Sequence, residues 1–388
     1  MELRKLDETY IESTYARHSP ILMRGKGSRV YDSEGKAYID LGAGIANSFG
    51  FSDPGWQAAV MSQLLQLQNG SNYYYSAPQA MLAEQLCKRT GMRKVVFSNS
   101  GAEANECAIK LARKWGVERH GPEHYHIIAL ENGYHGGTLG ALSAAGMPQL
   151  QAGFGPMLPG FHLAPANDLA AAAALAEEYP ACAMMVELIQ GEGGITVLGT
   201  DYVKGLAALC RQKDMLFIVD KVPTGNGRTG TLYAYEQFGV MPDVVTTAKG
   251  LAGGLPIGAT LIGAKAVGTL TSGTHGSTFA GNPVCAAAAL AVLNRIDSTL
   301  LQTVAEKGEY VKRQLADTKG VKAVSGLGLL IGVLPEKRPA ADIVEACEAR
   351  GVLLLTAKDK LRIAPALNIP MEELTAALSI VKQELAAE

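Results

Sequence analysis

The chain has 388 residues, of which 48% are hydrophobic, and a formal net charge of -2 that results from 35 basic and 37 acidic side chains. This size and apolar content allow a large buried core and predict two or three domains. A charge balance this close to neutral argues against a nucleic-acid-binding protein, which presents a strongly basic surface. No apolar run reaches the length of a membrane span.

The cysteines and the N-terminal sequence indicate the cellular compartment. No two of the six cysteines form a Cys-x-x-Cys pair, and most lie in apolar or helix-like surroundings, as in Pro283-Val-Cys285-Ala-Ala. This usage is typical of reduced, buried thiols. Residues 1–8 lack the apolar core of a signal peptide. We therefore expect a cytoplasmic protein, and we expect no metal site.

Short apolar runs alternate with helical patterns through the first three quarters of the chain. Near the start, Asp32-Ser-Glu-Gly35 is a turn sequence between two short strands. Six β-rich runs then predict strands at Lys94–Ser98, His126–Leu130, Ala183–Glu187, Met215–Asp220, Val244–Thr247 and Thr260–Gly263. Helices are predicted at Glu103–Val117, Asn167–Glu178 and Tyr202–Lys213. Strands that are apolar on both faces and separated by helices favour an α/β fold with a mostly parallel sheet.

The pattern changes after about residue 290. A long helical pattern predicts one helix over Ala286–Asp317, followed by glycine-punctuated strands within Val321–Val333. A helix at Ala341–Arg350, a strand at Val352–Leu355 and a helix at Met371–Ala386 complete the chain. We expect a smaller α+β domain formed by residues 1–55 and 290–388, and a large domain formed by residues 56–289.

Lys249 and Asp220 are the first candidates for chemistry, because each ends a buried apolar strand. Burial lowers the pKa of a lysine, and a neutral amine can form a Schiff base with an aldehyde. An aspartate at the carboxyl end of a parallel strand points into the crevice where α/β proteins bind ligands. Taken alone, each residue is better explained without chemistry, Lys249 as a surface lysine at a loop and Asp220 as a helix N-cap or turn residue.

A third candidate lies in Phe97-Ser-Asn-Ser100-Gly101-Ala102, where a strand runs through small residues into a helix. Backbone N–H groups at a helix N-terminus bind phosphate, and the helix dipole favours the negative charge. An ordinary strand-to-helix turn with Ser100 as the N-cap is the alternative.

The order and spacing of these segments resemble the class III, ω-amino-acid aminotransferases of fold type I, and within them the acetylornithine branch. The resemblance covers nearly the whole chain. It depends on five segments: Asn99-Ser-Gly-Ala-Glu-Ala-Asn-Glu, Ile189-Gln-Gly-Glu-Gly-Gly, Gly227-Arg-Thr-Gly, Ala248-Lys-Gly-Leu and His275-Gly-Ser-Thr-Phe. It implies a large sheet domain with a smaller α+β domain from both termini, and pyridoxal 5′-phosphate as the cofactor.

The resemblance implies a role for each matching residue. Lys249 holds the cofactor and moves the proton at the substrate carbon, and Asp220 pairs with the pyridinium nitrogen. Tyr134 stacks on the cofactor ring. The remaining cofactor-binding positions are Ser100, Gly101, Ala102, His135, Pro223 and Thr278, the last donated by the neighbouring subunit of a homodimer.

The resemblance also implies how two kinds of small-molecule substrate use one pocket. Arg362 binds the α-carboxylate of glutamate or 2-oxoglutarate, and Glu192 pairs with Arg362 when an ω-amino donor is bound. Ser277 and Tyr15 are the other expected substrate contacts. The expected reaction moves an ω-amino group from N2-acetylornithine or succinylornithine to 2-oxoglutarate in ping-pong order, giving a semialdehyde and glutamate. Ornithine and 4-aminobutyrate are the alternative donors.

The sequence departs from the family pattern at four places. Lys221 and Pro223 replace an acid and a glutamine; proline has no side-chain donor, and Lys221 either weakens the negative field at Asp220 or faces away. Gly137 replaces an arginine that contacts the substrate carboxylate in the acetylornithine branch. Gly50-Phe-Ser-Asp-Pro54 lies where the family has a histidine-containing segment near the substrate entrance. In Glu187-Leu-Ile-Gln190, Leu188 replaces a proline, which we expect to be a tolerated packing change.

Two other functions stay open at this point. The departures at Lys221, Pro223 and Gly137 favour a cofactor-binding protein with little catalysis. The same fold also supports aminomutases and decarboxylases. The presence of both Glu192 and Arg362 favours transamination over either alternative.

Overall fold

The computed structural model describes residues 3–387 of the chain. The strands are β1 Leu22–Lys26, β2 Arg29–Asp32, β3 Ala37–Asp40, β4 Lys94–Ser98, β5 His126–Leu130, β6 Phe161–Ala164, β7 Ala181–Glu187, β8 Ile189–Gln190, β9 Thr196–Val197, β10 Leu216–Asp220, β11 Val244–Thr247, β12 Gly258–Ile262, β13 Val321–Leu327, β14 Leu330–Pro335, β15 Val352–Leu353, β16 Leu355–Ala357 and β17 Lys360–Ile363. The α-helices are α1 Leu3–Tyr10, α2 Pro54–Gln66, α3 Ala77–Thr90, α4 Gly101–His120, α5 Leu139–Ala144, α6 Pro148–Gln151, α7 Leu169–Glu178, α8 Thr200–Gln212, α9 Tyr235–Phe238, α10 Pro283–Leu293, α11 Ser298–Ala316, α12 Ala340–Ala349 and α13 Met371–Ala386.

The central sheet has the strand order β4-β12-β11-β10-β7-β5-β6. β10 is parallel to both β7 and β11, and β5 is parallel to β6 and β7. β12 is antiparallel to its neighbours β11 and β4. Every residue of β7 and β10 is buried, because helices cover both faces. The expected α/β fold with a mostly parallel sheet is confirmed.

Several predicted boundaries were wrong. The single helix predicted over Ala286–Asp317 is two helices, α10 and α11, which are bent by 76° at the break. The side chain of Asp297 caps α11 by accepting a hydrogen bond from the Leu300 N–H at 2.8 Å, and this cap begins a new helix. The predicted strand Val352–Leu355 is likewise divided between β15 and β16. Helices α2 and α3 were not predicted.

Two separate hydrophobic clusters form the main cores. The larger one packs around one face of the central sheet and includes α10. The other lies among β14, β17 and helices α11, α12 and α13, and it also takes in Ile39 and Leu41 from the N-terminal part. We propose that the second cluster is the core of a domain formed by residues 1–55 and 290–388, because it joins both ends of the chain.

Within residues 3–387, no single helix has both the length and the apolar composition that a membrane crossing requires. Only the bent pair α10 and α11, taken together, passes on length and composition.

Lys221 is an exception in the core. Its side chain is fully buried, and its ammonium nitrogen lies 3.1 Å from the centroid of the Tyr233 ring. Among residues 3–387, that nitrogen has no hydrogen-bond partner. Burial lowers the pKa of Lys221 well below its usual value, and attraction to Asp220 and Glu236 opposes the shift only in part. The ammonium therefore loses its hydration without gaining a full set of partners.

We expect the Lys221→Met variant to be more stable than the wild type at pH 7 by about 1–3 kcal/mol, the cost of burying a polar group without a partner. Because the pKa of Lys221 is lowered in the folded protein, this cost is absent above the pKa of the unfolded lysine, near 10.5, where the amine is neutral in both states. The cost grows as pH falls below that value. The advantage should therefore shrink toward about pH 10, as measured by urea unfolding at both pH values.

The matched control is Lys319→Met at an exposed position, which should change stability by less than about 0.5 kcal/mol at either pH. A Lys221→Met variant that is less stable than the wild type at pH 7 would show that the contact with the Tyr233 ring outweighs the cost of burial.

Candidate active site

The carboxyl ends of β4, β5, β7, β10 and β11 meet at one edge of the central sheet. These strands run in the same direction, since β12 is antiparallel to both β4 and β11. The segments that follow them carry most of the predicted site residues. A parallel sheet of this kind binds its ligand outside the carboxyl ends of its strands.

Asp220 lies at the centre of this edge and is 1% exposed. Its Oδ2 accepts a hydrogen bond from Asn105 Nδ2 at 2.7 Å and lies 2.8 Å from His135 Nδ1. Its Oδ1 accepts one from the Val222 N–H at 2.9 Å. Burial alone lowers the pKa of His135, but the hydrogen bond and charge of Asp220 outweigh it and raise that pKa. Asp220 is therefore a buried carboxylate whose charge is stabilised by three donors.

A second buried carboxylate, Glu187, is the Cα partner of Asp220 on the adjacent strand. It accepts hydrogen bonds from the N–H groups of Tyr134 at 2.8 Å and Gly191 at 3.2 Å. Burial and the charge of Asp220 raise the pKa of Glu187 to about 7, while His135 and the two N–H groups act in the opposite direction.

Lys249 follows β11 and is half-buried at this edge. Its φ is +46°, a left-handed conformation that is uncommon for lysine. The peptide groups on either side are held by hydrogen bonds, from Asn226 Nδ2 to the Ala248 carbonyl at 3.1 Å and from Ser48 Oγ to the Gly250 carbonyl at 2.8 Å. Burial lowers the pKa of Lys249; attraction to Glu192 opposes this, and repulsion from Arg362 adds to it. A lysine with a lowered pKa is a better nucleophile and base at neutral pH.

Glu192 and Arg362, predicted as a pair, form an ion pair in which Arg362 Nη1 donates to Glu192 Oε1 at 2.6 Å. Arg362 lies on β17 and is buried, whereas Glu192 is half-buried. The Nε atom of Arg362 is buried and has no hydrogen-bond partner within residues 3–387. The guanidinium therefore has one buried donor that no group within residues 3–387 satisfies.

The N-terminus of α4 forms the end of the site near β4. Ser100 Oγ accepts a hydrogen bond from the Glu103 N–H at 3.1 Å, and Glu103 in turn accepts one from the Asn99 N–H. Ser100 is therefore the N-cap of α4, and the Glu103 side chain ties the preceding residue, Asn99, to the first turn. The cap leaves the first-turn N–H groups of Gly101 and Ala102 without an acceptor inside the helix. They are suitably placed for an anion such as phosphate.

Two glycines allow the segments of the site to approach each other. A Cβ atom on Gly101 would lie 2.8 Å from Val222 Cγ1, and one on Gly136, whose φ is +136°, would lie 2.5 Å from Ala102 Cβ. The segments after β4, β5 and β10 therefore pack closely against one another at this edge of the sheet.

Tyr134 is half-buried at the same edge, and burial raises its pKa together with the charges of Glu192, Tyr15 and Glu187. Tyr15 is exposed at the surface. Pro223 is buried and packs against Gly191, on which a Cβ atom would lie 3.1 Å from Pro223 Cγ. Gly137 is exposed, and a Cβ atom there would meet nothing within 4 Å. The position of the missing arginine therefore faces open space.

The segment that contains Ser277 and Thr278 lies near α4 but is not enclosed by this chain. Asn99 Nδ2 donates to Ser277 Oγ at 2.8 Å, which brings Ser277 to the segment before α4. Thr278 is exposed, and the next residue, Phe279, is 60% exposed.

Two residues of the site were missed in the sequence, Asn105 and Glu187. Glu187 has the same signal as Asp220, a carboxylate that ends an apolar buried strand. Asn105 is four residues after Gly101, so both lie on one face of α4, where a polar residue among alanines indicates a buried partner.

These groups fit the predicted cofactor. The site has free N–H groups at a helix N-terminus for a phosphate, a buried and stabilised carboxylate for a ring nitrogen, an aromatic side chain for the ring face and a lysine with a lowered pKa. The close contacts at Gly101 and Gly136 bring the N-terminus of α4 against the segments that carry Asp220 and Tyr134.

Comparison with known proteins identifies the family. Residues 11–385 match the model of the class-III aminotransferases. The chain is 45% identical to the acetylornithine aminotransferase of Haemophilus ducreyi over 99% of this chain and 98% of that protein. It is 40% identical to the succinylornithine transaminase of Yersinia pseudotuberculosis, over 97% of this chain and 94% of that protein.

A solved structure agrees with these relatives. The ornithine aminotransferase of Toxoplasma gondii, described with pyridoxal phosphate at its active site, superposes with a TM-score of 0.94 at 32% identity over 99% of this chain and 94% of that chain. The predicted family and cofactor are confirmed. This chain belongs to the class-III aminotransferase family, and it is a pyridoxal-phosphate-dependent ω-aminotransferase that acts on small molecules.

Proposed function

We propose that this enzyme transfers the ω-amino group of N2-acetylornithine or succinylornithine to 2-oxoglutarate in ping-pong order, with a semialdehyde and glutamate as products. The observation that carries the proposal is the ion pair of Arg362 and Glu192, whose charges both act on Lys249. The names of the relatives support the choice of donors. Ornithine and 4-aminobutyrate are the alternative donors.

The Arg362–Glu192 pair explains how one pocket accepts two different substrates. A dicarboxylate acceptor offers an α-carboxylate that displaces Glu192 and takes the Nη1 donor of Arg362. An ω-amino donor has no carboxylate next to its reacting carbon. Glu192 then keeps the buried guanidinium paired, because leaving it unpaired would cost several kcal/mol.

Lys249 and Asp220 are the proposed catalytic residues. When bound, pyridoxal phosphate supplies the electron sink that stabilises negative charge at the substrate carbon. Lys249 anchors the cofactor and moves the proton at that carbon, and its lowered pKa suits this work at neutral pH. Asp220 keeps the ring nitrogen protonated, and His135 acts on Asp220 rather than on the ring directly.

Three elements hold the cofactor in this proposal. The Gly101 and Ala102 N–H groups bind its phosphate, with Ser100 as the helix cap beside them. Tyr134 stacks on the ring. Pro223 contributes shape alone, because it has no side-chain donor where relatives of the family have glutamine.

We propose that the enzyme works as a homodimer in which Thr278 reaches the phosphate site of the partner subunit. Three consecutive tyrosines, Tyr73, Tyr74 and Tyr75, are between 75% and 108% exposed in the single chain, and Phe279 is exposed beside Thr278. A monomer rarely leaves so many large side chains in water. Ser277 and Tyr15 are the proposed substrate contacts at this open side of the site.

We also propose that the protein is cytoplasmic. The six cysteines are free, and five of them are buried, which suits a reducing compartment.

The proposed function is tested by incubating the purified protein with each donor and 2-oxoglutarate and measuring glutamate. The proposal expects glutamate from N2-acetylornithine or succinylornithine at a higher kcat/KM than from ornithine or 4-aminobutyrate. Glutamate from none of the four donors would contradict it. A product formed without any oxo acid would instead indicate an aminomutase or decarboxylase.

We expect substitutions of the Arg362–Glu192 pair to affect the two half-reactions differently. Arg362→Lys keeps the positive charge but loses the guanidinium group that binds a carboxylate with two hydrogen bonds. The KM for 2-oxoglutarate should therefore rise by roughly 10- to 100-fold. Glu192→Gln removes the competitor for Arg362, so kcat/KM should fall for the donor but not for 2-oxoglutarate. Single-turnover kinetics of each half-reaction separate the two effects.

The matched control for this pair is Arg350→Lys, which alters an exposed arginine that binds Glu384 at 2.8 Å. It should leave both half-reactions unchanged. Equal slowing of both half-reactions by Glu192→Gln would contradict the alternating role of Glu192.

Gly137→Arg is expected to increase the use of N2-acetylornithine. The space beside Gly137 is open, so the new side chain can extend without a clash and offer its guanidinium to the donor's carboxylate. Steady-state kcat/KM for N2-acetylornithine should rise by roughly 10-fold, the value of one charge-assisted hydrogen bond. A Gly137→Gln variant controls for size without charge, and a Gly137→Arg variant that loses activity with every donor would contradict this expectation.

A further inference from the structure

Glu187 is a buried carboxylate to which none of the steps above assigns a role. It is 2% exposed and lies at the end of β7, beside Asp220 on β10. Its two oxygens accept hydrogen bonds from different segments, Oε2 from the Tyr134 N–H at 2.8 Å and Oε1 from the Gly191 N–H at 3.2 Å. One side chain thus joins the segment after β5 to the segment after β7.

Each of these segments carries a residue to which the proposed function assigns a ligand contact. The first contains Tyr134 itself, the proposed ring-stacking residue. The second contains Glu192, which directly follows Gly191 and pairs with Arg362 at 2.6 Å. Both segments are loops without regular backbone pairing at these positions, so the Glu187 hydrogen bonds restrict their relative positions. A displacement of about 1 Å in a positioning element is enough to lower a rate 100-fold.

The charged and titratable groups around Glu187 come from every element packed against it. Asp220 faces it from β10, His135 and Tyr134 from the segment after β5, and Lys249 from the turn after β11. The carboxylates repel each other, whereas His135 and the two N–H groups stabilise the charge on Glu187. The ionisation of Glu187 is therefore linked to the groups that the cofactor contacts.

We propose that Glu187 is a positioning residue that holds the Tyr134 segment and the Glu192 segment in one arrangement, and that it thereby controls both cofactor retention and recognition of the acceptor's carboxylate. The second effect rests on the function proposed above, and the first does not. A carboxylate is required because it accepts at both oxygens. Glutamine has the same shape but accepts at one oxygen only. Its NH₂ group would face a backbone N–H, and that N–H would then have no acceptor.

The experiment compares Glu187→Gln with the wild type and with a control, Gln190→Met. Gln190 is also buried and joins the same two segments, because its Nε2 donates to the Glu131 carbonyl at 2.7 Å. Unlike Glu187, it does not ionise, and that hydrogen bond involves neither Tyr134 nor Gly191. Glu187→Asp is the second variant, which keeps the charge on a shorter side chain. Three quantities are measured: the dissociation constant of pyridoxal phosphate, the KM for 2-oxoglutarate and the midpoint of thermal unfolding of the loaded protein.

Glu187→Gln should weaken the binding of pyridoxal phosphate by about 10-fold, the loss of one hydrogen bond to a charged group, and raise the KM for 2-oxoglutarate several-fold. Glu187→Asp should show a smaller effect of the same kind. Gln190→Met should lower the unfolding midpoint while leaving both other quantities within about 2-fold of the wild type.

The pH dependence of unfolding adds a readout that a side chain without an ionisable group would not change. The pKa of Glu187 is raised in the folded protein, so its ionisation opposes folding: this cost is absent at low pH, where the side chain is protonated in both states, and is complete once pH has risen through about 7. The unfolding midpoint of the wild type minus that of Glu187→Gln should therefore decrease as pH is raised from about 5 to about 8. The same difference for Gln190→Met should stay constant.

Wild-type cofactor binding in Glu187→Gln would overturn the proposal, whatever its activity. An effect of equal size in Gln190→Met would also overturn it, because any disturbance of the two segments would then suffice. If the wild type makes no glutamate from any donor, the proposed function fails, and the cofactor and unfolding measurements still decide the role of Glu187.

Discussion

The hydrogen bonds to the Asp220 carboxylate are the interaction on which the rest of the site depends. Burying a carboxylate at the carboxyl end of a fully buried strand costs free energy. Such a carboxylate keeps its charge only if hydrogen-bond donors replace the water that it loses. His135, Asn105 and the Val222 N–H supply those donors from three different elements. The requirement fixes the N-terminal part of α4, the segment after β5 and the turn after β10 relative to each other. The proposed phosphate site, ring-stacking residue and cofactor lysine lie in or beside these same elements.

The buried charges form two connected groups. Asp220, Glu187 and His135 lie beneath the site, and Lys249, Glu192 and Arg362 lie at its substrate side. Apart from Lys249, each of these charges has a partner of opposite sign or a set of hydrogen-bond donors, which is how a protein keeps ions away from water. In the proposed function, the Glu192–Arg362 pair differs from the others because a substrate carboxylate takes the place of one member. Specificity for the acceptor is then a competition between two carboxylates for one guanidinium.

Much of this arrangement was predictable from the sequence, because buried parallel strands are apolar on both faces and end on the residues that matter. The bounds of β4, β5, β11 and α13 match the prediction, and Asp220 and Lys249 lie where strand-end residues were expected. The break between α10 and α11 was missed since both are apolar, and only the Asp297 cap separates them. Helix α2 was missed because it buries no residue fully and shows no apolar stripe. Glu187 and Asn105 depend on partners that are more than 30 positions away in sequence, which a local pattern does not reveal.

The central claim is that the buried Asp220 carboxylate, stabilised by His135 and Asn105, keeps the cofactor's ring nitrogen protonated. The most direct test is ¹⁵N NMR of the enzyme loaded with pyridoxal phosphate labelled at that nitrogen, compared with the Asp220→Asn variant. The account predicts the chemical shift of a protonated ring nitrogen at neutral pH in the wild type and that of an unprotonated one in Asp220→Asn. The same unprotonated shift in both proteins would contradict it.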